Sequence, residues 1–169
     1  MCGISVLISD DNEQLKNLPE MNSVIRHRGP DDEGFAVISD SKVFPCYGQD
    51  TDPKSINASF DYSPVMSVSE ALVSGGRYVA FGHRRLSIVD LTVAGHQPMC
   101  YDKKRFWITY NGEVFNFNEI KHELEAEGYS FLTSNDTEVI LAAYARWGVD
   151  CLNKFNGMWA FVIYDAVEN

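Results

Sequence analysis

The chain reads as a single mixed α+β domain built in layers, and three observations predict it. Its 169 residues fit one domain, since folded domains commonly run roughly 100–200 residues. Hydrophobic residues make up 45% and aromatics 12%, enough for a proper core. The periodicities arrive as several short apolar strands, then two consecutive helices, then one more strand. That order suits a layered mixed fold better than a doubly wound one, in which strands and helices alternate.

The elements follow in order. Cys2 to Ser9 (CGISVLIS) is an apolar, β-branched run closed by Asp10-Asp11-Asn12, the pattern of a buried strand. Leu18, Met21, Val24 and Ile25 keep helical spacing, and Gly29-Pro30 stops that helix. Gly34 to Ser39 is a second strand. From Phe44 to Gly76 the chain is rich in Ser, Asp, Pro and Gly without a sustained period, so 44–77 reads as a loop insertion, expected to be mobile and dispensable. Tyr78 to His83 is strand, Arg84 to Met99 a structured loop. Phe106 to Tyr110 is a strand ending at a turn, Asn111-Gly112. Asn116 with Glu119 predicts a capped helix to Glu127, stopped by Gly128. Thr137 to Trp147 is a second helix, with Asp136 as its N-cap and Gly148 as its stop. Met158 to Asp165 (MWAFVIYD) is a last, strongly apolar strand.

Charge narrows the function classes. Fourteen Lys and Arg against 24 Asp and Glu give −10, which repels phosphate backbones and anionic lipid. No basic patch beyond Arg26/Arg28 and Arg84/Arg85 offsets it. No apolar run approaches the roughly 18–20 residues of a membrane span, and the N-terminus lacks the marks of a signal peptide. The four cysteines are too scattered for a metal knuckle. These features predict a soluble, cytoplasmic protein with free thiols, no nucleic acid partner and no membrane contact.

Cys2 is the residue that asks for chemistry. Removal of Met1 would leave a thiol and a free α-amine on one residue, a nucleophile carrying its own base. An α-amine ordinarily titrates at about 7.7–8.0, so a useful fraction can accept the thiol proton near neutrality. Taken alone the signal is weak, and Cys2 reads first as a small apolar residue of a buried strand.

Six motifs then occur in sequence: Met1-Cys2-Gly3-Ile4, Arg26-His27-Arg28-Gly29-Pro30-Asp31-Asp32-Glu33-Gly34, Gly82-His83-Arg84-Arg85-Leu86-Ser87-Ile88-Val89-Asp90-Leu91, Gly95-His96-Gln97-Pro98-Met99, Tyr110-Asn111-Gly112-Glu113-Val114-Phe115-Asn116 and Ser134-Asn135-Asp136-Thr137-Glu138-Val139-Ile140. In this order they resemble class II glutamine amidotransferase domains, and in detail the asparagine synthetase branch. The resemblance covers nearly all of residues 1–169 except the Phe44–Gly76 excursion. It implies an N-terminal-nucleophile hydrolase fold, a four-layer αββα sandwich of two antiparallel sheets, with Cys2 at the end of a central strand and the domain incomplete at its C-terminus.

The resemblance also implies a site for L-glutamine. A zwitterion with a neutral amide needs a cation for its carboxylate, an anion for its ammonium and donors at the amide oxygen. Arg85 offers a planar fork to the carboxylate, and Asp136 a partner for the ammonium. Asn111 Nδ2 and the Gly112 N–H would form the oxyanion hole around the carbonyl attacked by Cys2. Leu86, Ile88, Val89 and Glu113 are further substrate contacts by resemblance. Singly, Arg85 could be a solvated charge, Asn111-Gly112 a hairpin turn, and Arg28 with Asp31 a helix-end ion pair. His83 and His96 read as loop-ordering residues, since this mechanism uses no imidazole base.

The implied activity is hydrolysis of glutamine to glutamate with release of ammonia, using no metal or organic cofactor. In asparagine synthetases a further domain, dependent on ATP and magnesium, consumes the ammonia. Its SGGxDS signature does not occur here, since Ser74-Gly75-Gly76-Arg77-Tyr78 departs from it at the acidic and serine positions. The implied partners are glutamine and a linked or separate synthetase domain, with a homodimer left open. A silent glutamine-binding scaffold, or a self-processing hydrolase of other amides, are the rival readings. The apolar last strand, with four residues after it, predicts self-association.

Overall fold

The computed structural model describes residues 2–71, 76–88 and 90–168. Eight strands form two sheets: β1 (Gly3–Ser9), β2 (Asp32–Ser39), β3 (Lys42–Tyr47), β4 (Met66–Ser67) and β5 (Tyr78–Arg85) in the order β1-β5-β2-β3-β4, and β6 (Met99–Tyr101), β7 (Phe106–Val114) and β8 (Gly157–Asp165) in the order β6-β7-β8. Pairing is antiparallel except between β3 and β4, which run parallel over two residue pairs. The expected pair of antiparallel sheets therefore holds in all but that short edge.

Helix α1 (Leu18–Val24) lies on β1 and β5, α3 (Asp136–Trp147) lies on β6 and β7, and α2 (Phe117–Ala126) packs on α3. Strands β1 and β5 face β7 across the middle, which completes the helix-sheet-sheet-helix stack. The central position of β2 follows from its side chains. All eight of its residues are buried, and alternate positions face opposite sides of a sheet. Phe35 and Val37 join Leu15 and Leu18 in the core under α1. Ala36 and Ile38 join Phe81, Ile108 and Ile140 in the core around the second sheet.

The segment read as a mobile loop insertion contributes strands and core residues to the fold. It contains the end of β3, all of β4 and the 3-10 turn Val68–Glu70, and contributes buried Cys46, Tyr62, Val68 and Ala71. Its polar residues tie it down: the Asp50 N–H donates to Glu33 Oε1 at 2.7 Å, and the Asp50 carboxylate pairs with buried Arg84 at 2.8 Å. Irregular backbone gives no period for a sequence pattern to detect, yet it still packs.

Other boundaries differ for local reasons. The first helical reading divides into α1 and a 3-10 turn at Arg26–Arg28, and another 3-10 turn, at Asn12–Asn17, precedes it. Asn111-Gly112 is no turn, because β7 continues to Val114 with Asn111 opposite Ala160 and Gly112 opposite Trp159. A Cβ on Gly112 would lie 2.6 Å from Trp159 Cα and closer still to the Met158 carbonyl, so close strand approach, not a bend, requires glycine there. Asn116 does not cap α2 with its side chain. Its amide instead bridges to the Lys154 carbonyl (2.9 Å) and the Asn156 N–H (2.8 Å). The N-cap of α3 is Asn135, which accepts from the Glu138 N–H at 3.1 Å, and Asp136 is the first residue inside the helix.

Candidate active site

The register of β1 on β5 pairs Gly3 with Arg84, and one step further it sets Cys2 against Arg85, next to Leu86. The Leu86 N–H points to Cys2 Sγ at 3.4 Å, and the thiol faces the Leu86 carbonyl at 3.8 Å. Arg28 Nε donates to the Cys2 carbonyl at 3.2 Å, and Asp31 receives the Ser87 N–H at 2.8 Å. Arg28 and Asp31 therefore hold the two sides of the surroundings of Cys2 and do not pair with each other as a helix-end ion pair. Cys2 is partly exposed, whereas Cys46, Cys100 and Cys151 are buried. Burial pushes the thiols of Cys46 and Cys100 up to about 12 and that of Cys151 to about 11.

Cys2 opens onto a cavity of about 280 Å³ whose walls include Arg85, Leu86, Ile88, Gly112, Glu113 and Asp136. Six further predicted site residues thus meet Cys2 in one place. Arg85 is only 8% exposed. Its Nη1 donates to the Thr92 carbonyl at 2.9 Å and its Nη2 to the Asp90 carbonyl, which brings the backbone of Asp90 and Thr92 up to the guanidinium. A Cβ on Gly95 would overlap that guanidinium, so Gly95 makes the space Arg85 occupies. Asp136 Oδ2 accepts from the Tyr110 hydroxyl at 2.6 Å and the Val114 N–H at 3.1 Å. Burial raises its carboxyl above the usual range, those two bonds pull it back, and Glu113 adds repulsion.

Asn111 lies beside the cavity without lining it. Its neighbours Tyr110 and Gly112 both reach the wall, and its own Oδ1 is buried without a hydrogen-bond partner. Val89 lies outside the described residues, as do Ser74 and Gly75. A larger hollow of about 690 Å³ between the β6–β7 hairpin and the α2–α3 connection holds none of the predicted site residues.

Two residues of the wall escaped the sequence reading as parts of the site. Gln97 accepts the Tyr110 N–H on Oε1 at 2.8 Å and donates from Nε2 to Thr137 Oγ1 at 3.3 Å. His83 meets the Tyr110 carbonyl through Nε2 at 3.0 Å. A carbonyl only accepts, so Nε2 carries the proton. Burial drives the His83 imidazole down to about 3, leaving it neutral. His83 therefore orders strand β7, not a loop. His96 pairs with Asp32 of β2 at 2.7 Å, a contact that does hold the 93–97 loop. Both Gln97 and His83 lie within the matched motifs, but their partner is backbone, which no side-chain chemistry in the sequence announces.

Among the described residues no helix is long and apolar enough to cross a membrane. The chain resembles glutamine phosphoribosylpyrophosphate amidotransferase from B. subtilis with a TM-score of 0.68 at 21% identity, covering 98% of this chain and 35% of that one. The likeness is one of fold. Two Bacillus subtilis proteins named as glutamine-hydrolysing asparagine synthetases are similar in sequence. Number 1 is 36% identical over 159 residues, 94% of this chain and 19% of its own length. Number 3 is 41% identical over 99 residues, 57% of this chain and 16% of its own length. This chain thus spans less than a fifth of the length of these two relatives. A family model described as the glutamine amidotransferase domain matches residues 69–169, and with the fold and the cavity at Cys2 in place, the chain belongs to the family of glutamine amidotransferase domains.

Proposed function

We propose that this domain hydrolyses L-glutamine to glutamate and ammonia, using Cys2 as an N-terminal nucleophile once Met1 is removed. The observation that carries the reading is the convergence on one cavity of Cys2, an enclosed arginine (Arg85) and an enclosed carboxylate (Asp136). A neutral amide with a zwitterionic end matches that set of charges. The α-amine of Cys2 takes the thiol proton, and the thiolate attacks the side-chain amide carbon. The oxyanion is held by the Gly112 N–H and Asn111 Nδ2. The α-ammonium returns the proton to the departing nitrogen, ammonia leaves, and water hydrolyses the thioester to glutamate and free thiol. Arg85 binds the substrate carboxylate, while Asp136, with Glu113, binds its ammonium. Leu86 and Ile88 complete the substrate wall, and Val89 is a further substrate contact by resemblance.

Neither metal nor organic cofactor enters these steps. The ammonia goes to a synthetase domain using ATP and magnesium, with aspartate as the acceptor that the similar asparagine synthetases suggest. Four free thiols suit a reducing, cytoplasmic compartment. The test is ammonia release from glutamine by three samples whose intact mass is known. Turnover by the Met1-processed protein, lost in Cys2→Ala, is expected. Turnover by a sample fully retaining Met1 sinks the self-base mechanism, and glutamine binding without turnover makes the domain a scaffold.

A further inference from the structure

Strand β7 loses its partner on one edge just where the site begins. Strand β6 pairs with it through Met99–Ile108, Cys100–Trp107 and Tyr101–Phe106. Continuing that register would set Gln97 against Tyr110. The chain has left the sheet by then, with the Gln97 carbonyl so close to Gly34 of β2 that a Cβ there would overlap it. A strand residue directs its N–H and C=O to the same edge, and the residue two further on repeats that direction. The Tyr110 N–H and C=O therefore both face the vacant edge, and the Gly112 N–H faces it next.

Both Tyr110 groups are met by side chains instead of a strand. Gln97 Oε1 takes the N–H at 2.8 Å, and His83 Nε2 gives its proton to the carbonyl at 3.0 Å. The two arise from different parts of the fold, His83 from β5 of the facing sheet and Gln97 from the loop before β6. Both are almost wholly buried. Gln97 also reaches Thr137, the neighbour of Asp136, so one amide joins the strand of Asn111 and Gly112 to the start of α3.

We propose that His83 and Gln97 are positioning residues that replace the absent strand on β7 and thereby aim the Gly112 N–H into the cavity beside Cys2. This rests on the oxyanion role given to Gly112 above. Their contribution belongs to the transition state: a strand free to shift by a fraction of an ångström still admits glutamine but meets the tetrahedral intermediate badly.

The experiment compares wild type, His83→Leu, Gln97→Met and His83→Gln in the full Met1-processed chain. Steady-state glutaminase kinetics are joined by two-dimensional 15N NMR of the Gly112 and Tyr110 amides. In His83→Leu and Gln97→Met we expect kcat to fall roughly 10- to 100-fold, with KM changed less than about 3-fold and both amide signals displaced. His83→Gln, whose amide can donate to the same carbonyl, recovers most of kcat. A KM rise matching the fall in kcat, or no recovery in His83→Gln, overturns the proposal. If His83→Leu does not fold, Gln97→Met and His83→Gln decide alone. Absence of turnover in wild type defeats the glutaminase reading instead, and the amide signals still judge the positioning: unmoved in Gln97→Met, they overturn it.

Discussion

A donor that meets only the charge developing in a tetrahedral intermediate lowers the barrier without changing ground-state affinity. Asn111→Ala is therefore expected to lower kcat by roughly 10²–10³, with a smaller change in KM for glutamine. Equal losses in both would make Asn111 a substrate anchor. His83 supplies a prediction in pH. Its folded pKa of about 3 lies below the ordinary histidine value of 6.5, so in that interval the unfolded chain binds the proton and the folded one does not. The stability of the neutral form is complete above about pH 6.5 and is lost on acidification towards pH 3, by at most roughly 1.4 kcal/mol per pH unit. Urea unfolding across that range should show a flatter acid limb for His83→Gln than for wild type. Subtracting the two curves removes Asp32, Asp136 and the other carboxylates that titrate there. A parallel pair of curves would show that His83 is protonated in the fold.

Between residues and fold stand the connections, and the least regular of them reaches furthest. The 44–76 excursion holds Glu33 through Asp50 and Thr51, and Asp32 through Asp52. Its Tyr62 hydroxyl donates to the Ala94 carbonyl at 2.7 Å, one residue before the Gly95 that makes room for Arg85. Tyr62→Phe should lower stability by about 1 kcal/mol and raise KM for glutamine more than it lowers kcat, since Arg85 and not Cys2 is loosened. An unchanged KM would disconnect the excursion from substrate binding. Sequence pattern located β1, β2, β5, β8 and α3 closely, because each is either a dense apolar run or keeps a clear helical period. It misread Asn111-Gly112 because the dipeptide suited to a tight turn is also what a close strand pair demands, and only the position of Trp159 distinguishes the two. It missed the packing of the excursion because Cys46, Tyr62 and Val68 are spaced by irregular backbone. Cys2, Arg85 and Asp136 were legible as a site through their motifs, whereas the support of Tyr110 by Gln97 and His83 depends on where β6 ends.

The assembled sandwich leaves β8 at the edge of the second sheet, nine residues long and uncharged until Asp165. Such an edge offers unpaired backbone groups to another chain, and a net charge of −10 opposes that pairing less as salt rises. Sedimentation velocity should show association that grows with concentration and with ionic strength. A clean monomer in both conditions would mean the edge is protected. The distribution of thiols across the two layers has a practical consequence. Three of the four are sealed inside and held protonated by burial, while Cys2 alone has partial access to solvent. An alkylating reagent at neutral pH should therefore add one equivalent to the native protein and four after denaturation. Stoichiometry then counts accessible Cys2 thiols in a preparation directly, before any turnover is measured. Glutamine should slow the first addition and leave the remaining three untouched.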